Sequence, residues 1–84
     1  MEKTEFPALH VFPNPVHGQV FIQSSENISA LSYRIINVLG ENVQSGTMST
    51  SIDVLHLSPG IYFLEISSGN AVYSVKKLLV ESEP

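Results

Sequence analysis

The sequence predicts an all-β protein, an antiparallel β-sandwich of about seven strands. Apolar and polar residues alternate along several short segments, which is the pattern of strands that bury one face. Glycine, proline and asparagine separate these segments at intervals of about 8 to 12 residues. No segment has a sustained helical period, so the strands alone decide the fold class.

The chain has room for one domain and not for a second core, because it has 84 residues and a mass of 9.2 kDa. We expect the β-sandwich to span residues 9–80. Residues 1–8 are expected to form a flexible linker, and residues 81–84 a short acidic tail.

The first distinctive segment is the proline-rich stretch at residues 11–18. Pro13 and Pro15, on either side of Asn14, fix their own φ angles and lack amide donors. Each proline also disfavours the helical conformation in the residue before it. We therefore expect an extended chain that bends here and starts a new strand after Gly18, at residues 19–23.

The middle of the chain contains three shorter strands. Residues 33–38 are apolar at both parities, which predicts a strand that is covered on both sides for part of its length. Residues 39–42 read as a tight turn into a strand at 43–46. Residues 51–54 form a short alternating segment in which Ile52 and Val54 share one face.

The last two strands, residues 61–67 and 71–80, are the strongest because they are rich in β-branched and aromatic side chains. Residues 67–70 between them predict a hairpin. Lys76 and Lys77 interrupt the last strand and, as neighbours in a pleated chain, point to opposite faces. An edge strand protected by lysine is the favoured explanation, and a recognition surface is the alternative.

The segment Leu57-Ser58-Pro59-Gly60-Ile61-Tyr62 is similar to the corner that leads into a central strand of immunoglobulin-like sandwiches. In such a corner the tyrosine ring packs in the core and its hydroxyl bonds to nearby backbone. We expect this structural role for Tyr62, and we therefore expect an immunoglobulin-like sandwich.

Composition excludes several classes of function. The net charge is −4 and the chain has only four lysine and arginine residues, so nucleic acid is not an expected partner. No apolar run approaches the roughly 20 residues that span a bilayer, so no membrane insertion is expected. The absence of cysteine excludes disulfides, thiolate metal sites and a cysteine nucleophile.

The sequence also has few residues in patterns that indicate catalysis or metal binding. His10, His17 and His56 lack the spacing of metal ligands and are expected to be exposed in loops. Asp53 is expected to face outward or to accept hydrogen bonds in a turn. The chain has no serine elbow and no phosphate-binding glycine loop. We expect no enzyme, no catalytic residue, no metal and no cofactor.

Taken together, the motifs resemble one family. Its ordered set of segments covers about residues 9–80: Pro13-Asn14-Pro15 with Gly18 and Val20, Ile36-Asn37-Val38-Leu39-Gly40-Glu41, Ile52-Asp53-Val54, Leu57-Ser58-Pro59-Gly60-Ile61-Tyr62, and Lys76-Lys77-Leu78-Leu79-Val80. Each motif is weak by itself, and the order at these spacings is fairly specific. The chain resembles the type A C-terminal sorting domain of the type IX (Por) secretion system of Bacteroidetes.

The resemblance implies a targeting module of secreted or cell-surface proteins. Such a module follows an upstream cargo domain in the same chain and is recognised by the type IX secretion machinery after export to the periplasm. A sortase-like peptidase at the cell surface then usually removes it. The residues that would form the sorting motifs are Pro13, Asn14, Pro15, Gly18, Gly60, Tyr62, Lys76 and Lys77.

A non-catalytic binding or adhesion module is the alternative, since small sandwiches also bind glycans or proteins. The chain has no tryptophan, so the ring platform favoured for sugars is poorly supplied. The sequence is compatible with a monomer or a weak dimer.

Overall fold

The computed structural model describes residues 9–24, 27–69 and 71–81. These residues form seven β-strands and contain no helix, which confirms the all-β prediction. The strands are β1 (Leu9–His17), β2 (Gln19–Ser24), β3 (Ser32–Asn37), β4 (Asn42–Thr47), β5 (Ser51–Asp53), β6 (Gly60–Ser68) and β7 (Ala71–Val80). The predicted linker at 1–8, and the predicted acidic tail apart from Glu81, lie outside the described residues.

The described strands form two sheets that share β1, compatible with the expected immunoglobulin-like sandwich. The smaller sheet has the order β1-β2-β5 and is antiparallel. The larger sheet has the order β4-β3-β6-β7-β1 and is antiparallel except between β7 and β1. The first part of β1 pairs with β2, whereas Val16 near its end pairs in parallel with Val80 of β7.

The proline-rich segment lies where β1 changes from one sheet to the other. Phe12 pairs with Phe21 and His17 pairs with Gln19, so residues 13–16 of β1 oppose a single residue of β2. Because Pro13 and Pro15 have no backbone N–H, this stretch of β1 cannot complete a regular ladder of hydrogen bonds with β2. The expected bend is therefore confirmed. The chain reverses only at Gly18, however, so the bend lies inside the first strand and not between two strands.

The core lies between the two sheets and consists of strand residues and of residues from three loops. Its side chains are Leu9, Val16, Val20, Ile22, Ile28, Leu31, Ile35, Met48, Ile52, Val54, Tyr62, Leu64, Ile66, Leu78 and Val80. Ile52 and Val54 face inward together, as expected. Gln44 of β4 joins the sheets, since its Nε2 donates to the Tyr33 hydroxyl (2.9 Å) and to the Asp53 carbonyl of β5 (3.0 Å).

The expected turn between β3 and β4 is organised by the side chain of Asn37. Its Oδ1 accepts hydrogen bonds from the backbone amides of Leu39 (2.9 Å) and Glu41 (3.0 Å), and its Nδ2 donates to the Glu41 carboxylate (2.7 Å). Gly40 supplies the left-handed conformation of the turn, with φ of +85°. The expected hairpin between β6 and β7 is confirmed too, because these strands pair antiparallel as far as Ser68 and Ala71.

Candidate recognition surface at one end of the sandwich

Tyr62 adopts the corner geometry that the sequence predicts. The residue is 8% exposed and belongs to the core, and its hydroxyl donates to the Ser58 carbonyl at 2.7 Å. The same loop is closed further back, where the Leu57 amide donates to the Val54 carbonyl at 3.0 Å. The tyrosine is thus a structural residue that fixes the path of residues 54–60.

Gly18, between β1 and β2, adjoins the start of this loop, because β2 pairs with β5. Its carbonyl accepts a hydrogen bond from the Val54 amide at 2.8 Å, and its φ is +88°. A β-carbon at this position would lie 3.0 Å from Cδ2 of Leu55. Conformation and space therefore both favour glycine here.

The end of β7 completes the same region. Gly60, with φ of +153°, pairs with Val80, and the Glu81 amide donates to the Val16 carbonyl at 2.9 Å. The three segments enclose an open cavity of about 220 Å³, lined by Gly18, Val54, Leu55, Leu57, Pro59, Val80 and Glu81. Ligand pockets usually measure about 300–1,000 Å³, so this one suits a single side chain better than a small molecule.

One titratable pair lies at this end. The Nε2 atom of His17 is 3.6 Å from a carboxylate oxygen of Glu81, and both side chains are substantially exposed. The pair is an ion pair only when the imidazole is protonated. An exposed contact of this kind contributes little to the stability of the fold. Its main consequence is the local charge that the two side chains give to this surface.

The sequence-predicted motif residues do not form one cluster. Gly18, Gly60 and the Tyr62 corner meet at this end, and the exposed Pro13 and Pro15 flank Asn14 in β1 nearby in the chain. The motif lysines lie at a distance, three and four residues before Val80, which is roughly 10–13 Å along a strand.

Lys76 and Lys77 point to opposite faces of the larger sheet, as the pleat requires. Lys76 pairs with Leu64, is half-buried and shares the inward parity of Leu78, whereas Lys77 pairs with Phe63 and is exposed. The edge-strand explanation does not fit the strand order, because β7 lies between β6 and β1. Its described pairing with β1 is nevertheless limited to Val80, so the two lysines lie where β7 pairs with β6.

The histidines and Asp53 are the polar residues that the sequence raised as candidates for metal or catalytic chemistry. His10, His17 and His56 are exposed, but the first two lie in β1 and not in loops. Among the described residues no three histidine, aspartate or glutamate side chains group as metal ligands would. Asp53 is exposed and its Oδ1 accepts from the Leu55 amide at 2.9 Å, which confirms both expectations for it.

Two exposed phenylalanines lie on the outer face of the smaller sheet. Phe12 and Phe21 are a cross-strand pair with ring centroids 6.0 Å apart and planes inclined by 31°. Such pairs stabilise neighbouring strands.

Two contributors were not singled out as site residues from the sequence. Leu55 covers Gly18, and Val16 holds the end of β7 through its carbonyl. Val16 follows Pro15 directly, and this position after the two prolines was the sequence signal that could have indicated its role. Leu55 has no such signal, because an exposed leucine in a loop is ordinary.

Comparison with protein families identifies the chain. A family model described as the secretion system C-terminal sorting domain matches residues 10–81. The chain belongs to this family. The sorting domain thus carries a C-terminal sorting signal of type IX secretion, and its family implies export to the cell surface or the extracellular space. A search of curated proteins found no match to the chain. The described part of the sorting domain contains no helix long and apolar enough to cross a membrane.

Proposed function

We propose that the sorting domain directs an upstream cargo domain of the same chain through the type IX secretion machinery and across the outer membrane. The observation that carries the proposal is the family match, which spans residues 10–81 and therefore nearly all of the described sandwich. The domain acts as a folded address, and the type IX machinery is its partner.

The address is read in part at the end of the sandwich. Gly18, Gly60 and the Tyr62 corner support this idea, because they hold residues 54–60 and Glu81 around an open cavity. Pro13, Asn14 and Pro15 set the path of β1 between the sheets and so align this end. Lys76 and Lys77 contribute charge along β7.

A sortase-like peptidase at the cell surface removes the domain after export. The domain is the substrate in this reaction and not the catalyst. Cleavage falls before Leu9, because from this residue onward β1 is held in pairing with β2, where a peptidase cannot seat an extended substrate. The domain works as a monomer or a weak dimer, without metal or cofactor.

A reporter fusion tests the proposal. A soluble reporter with a Sec signal at its amino end and residues 1–84 at its carboxyl end is expressed in a type IX-competent cell. The reporter is expected to become accessible to protease on intact cells. The mass of the surface product is expected to be that of the reporter without the β-sandwich.

The matched control is the same fusion with Gly18→Val, which places a branched side chain at φ of +88° and against Leu55. We expect this variant to remain in the periplasm. Periplasmic retention of the unaltered fusion would contradict the sorting function, and a surface product that keeps the sandwich would contradict only the cleavage step.

A further inference from the structure

The open cavity at the end of the sandwich, hereafter the end cavity, offers few hydrogen-bond donors to a ligand. Four of the backbone amides that line it already donate within the fold: Val54 to the Gly18 carbonyl, Leu55 to Asp53 Oδ1, Leu57 to the Val54 carbonyl, and Glu81 to the Val16 carbonyl. A fifth lining residue, Pro59, has no backbone N–H. Carboxylates and phosphates are bound through donors, so an anionic ligand finds little to bind here.

The Glu81 carboxylate, by contrast, is an acceptor that the fold leaves largely unused. It lines the end cavity, its side chain is 47% exposed, and it lies 3.6 Å from Nε2 of His17. That distance is too long for a good hydrogen bond, and a neutral imidazole leaves the carboxylate charge unbalanced. Among the described residues no lysine or arginine forms an ion pair with Glu81. The carboxylate can therefore bind a cation from outside the domain.

The other charges around the end cavity also favour a cation. Asp53 is exposed and lies directly before the lining segment at 54–57. Lys76 and Lys77 lie roughly 10–13 Å before the end of β7, and the arginine of the chain is paired with Glu65. The whole chain has a net charge of −4. This end of the sandwich is therefore acidic, and it attracts positively charged partners.

The remaining side chains of the end cavity suit a cation that is attached to an apolar stem. They are apolar: Val54, Leu55, Leu57, Pro59 and Val80. Lysine and arginine have long stems that pack along apolar surface while the charged head stays in contact with water. A leucine or phenylalanine side chain would pack on the same residues and leave the carboxylate without a partner. The volume of about 220 Å³ suits one such side chain.

We propose that the end cavity binds a basic side chain, arginine or lysine, that projects from a partner protein. Its stem packs against Leu55 and Leu57, and its cationic head donates to the Glu81 carboxylate. Arginine is the stronger ligand, because its guanidinium can donate two parallel hydrogen bonds to one carboxylate. The inference rests on the proposed function in one respect, namely that this partner belongs to the type IX machinery.

Peptide titration tests the end cavity without any cell. The isotope-labelled chain of residues 1–84 is titrated with acetyl-Gly-Gly-Arg-Gly-Gly-amide and followed by NMR, at about pH 8, where histidine is generally neutral. We expect amide shifts to concentrate at Gly18, residues 54–60 and Glu81. The matched peptide has citrulline in place of arginine, which keeps the shape and removes the charge, and it is expected to bind at least about 5-fold more weakly. Equal binding of the two peptides, shifts confined to other residues, or no shifts at millimolar peptide would overturn the proposal.

Two pairs of variants sharpen this titration. Glu81→Gln is expected to weaken the arginine peptide several-fold, whereas Glu65→Gln removes the same charge on β6, away from the lining, and is expected to leave binding unchanged. Leu55→Ser is expected to weaken it too. Leu39→Ser changes another exposed leucine, in the β3–β4 turn, and is expected to have no effect. Equal effects within either pair would contradict the assignment to the end cavity.

Other occupants give distinct results in the same titration. A peptide with norleucine in place of arginine tests an apolar side chain, and one with glutamate tests an anionic one. Binding of the norleucine peptide as tight as that of the arginine peptide would assign the end cavity to an apolar side chain. Tighter binding of the glutamate peptide would assign it to an anion. Either result overturns the proposal.

The reporter fusion separates this proposal from the sorting function. The Glu81→Gln fusion is expected to reach the surface several-fold less than the unaltered fusion and the Glu65→Gln fusion, and circular dichroism of the isolated variants confirms that they are folded. Failure of all three fusions to reach the surface would contradict the sorting function. Equal export of all three would contradict only the role of the end cavity.

Discussion

At the scale of single residues, two side chains hold loops by bonding to backbone groups. Tyr62 fixes the corner ahead of β6 through the Ser58 carbonyl, and Asn37 organises the β3–β4 turn through two amides. The tyrosine was predicted from its Pro-Gly context. The role of Asn37 was not predicted, because an asparagine at the end of an apolar strand has no sequence signal that distinguishes a turn acceptor from a solvated side chain.

Removal of the Tyr62 hydroxyl is expected to weaken the fold modestly. Tyr62→Phe keeps the buried ring and loses one hydrogen bond, which contributes about 1 kcal/mol to the free energy of unfolding. Urea denaturation should show a lower midpoint with an unchanged m-value, since the surface exposed on unfolding stays the same. An unchanged midpoint would mean that the hydroxyl does not hold the corner.

Removal of the Asn37 side chain is expected to cost more than removal of the Asn42 side chain. Asn37→Ala loses two accepted bonds and one donated bond, for a loss of about 1–2 kcal/mol. Asn42→Ala loses one accepted bond of 3.2 Å, for a loss of about 0.5 kcal/mol. Both losses are measured by urea denaturation, and equal losses would contradict the special role of the first asparagine.

At the scale of elements, β1 is the strand that makes two sheets into one sandwich. Its first half pairs with β2, and Val16 after the proline pair joins β7. The sequence predicted a bend at the prolines from their φ restriction and missing amides. It did not predict the change of sheet, because the pairing of residues 16 and 80 is non-local and no local pattern specifies a partner that distant.

Other elements differ in how well local signals define them. The hairpin between β6 and β7 was predicted because it depends only on adjacent strands and a turn. The position of β7 between two strands was not, because the lysines alone favoured an edge strand. Lys76 tolerates its inward position by being only half-buried, and its long apolar stem can lie along the core surface.

Truncation of Val16 tests the double role of β1. Val16 is fully buried, so Val16→Ala should lower the free energy of unfolding by about 2 kcal/mol through lost burial and a small cavity. Val75→Ala is the matched control in β7, where the side chain is 56% exposed and the loss should stay near 0.5 kcal/mol. Losses of similar size in chemical denaturation would show that the residue does not bridge the sheets.

At the scale of the whole molecule, most of the sorting-motif residues gather at one end of the sandwich. The end contains Gly18, the Tyr62 corner and Glu81 around a shallow cavity. Lys77 lies away from this end, exposed on the larger sheet where β7 pairs with β6. Family and fold class followed from the ordered motifs and the strand pattern, whereas the meeting of Gly18, the Tyr62 corner and Glu81 could not be predicted, since it depends on which strands become neighbours.

The central claim is that this folded domain is sufficient to address a cargo for type IX secretion. The most direct measurement is the fraction of a Sec-exported reporter, fused to residues 1–84, that protease removes from intact cells. It is compared in a type IX-competent strain and in an otherwise identical strain without the outer-membrane translocon. We predict that most of the reporter is accessible in the first strain and almost none in the second. Equal accessibility in the two strains, or retention in both, would contradict the claim.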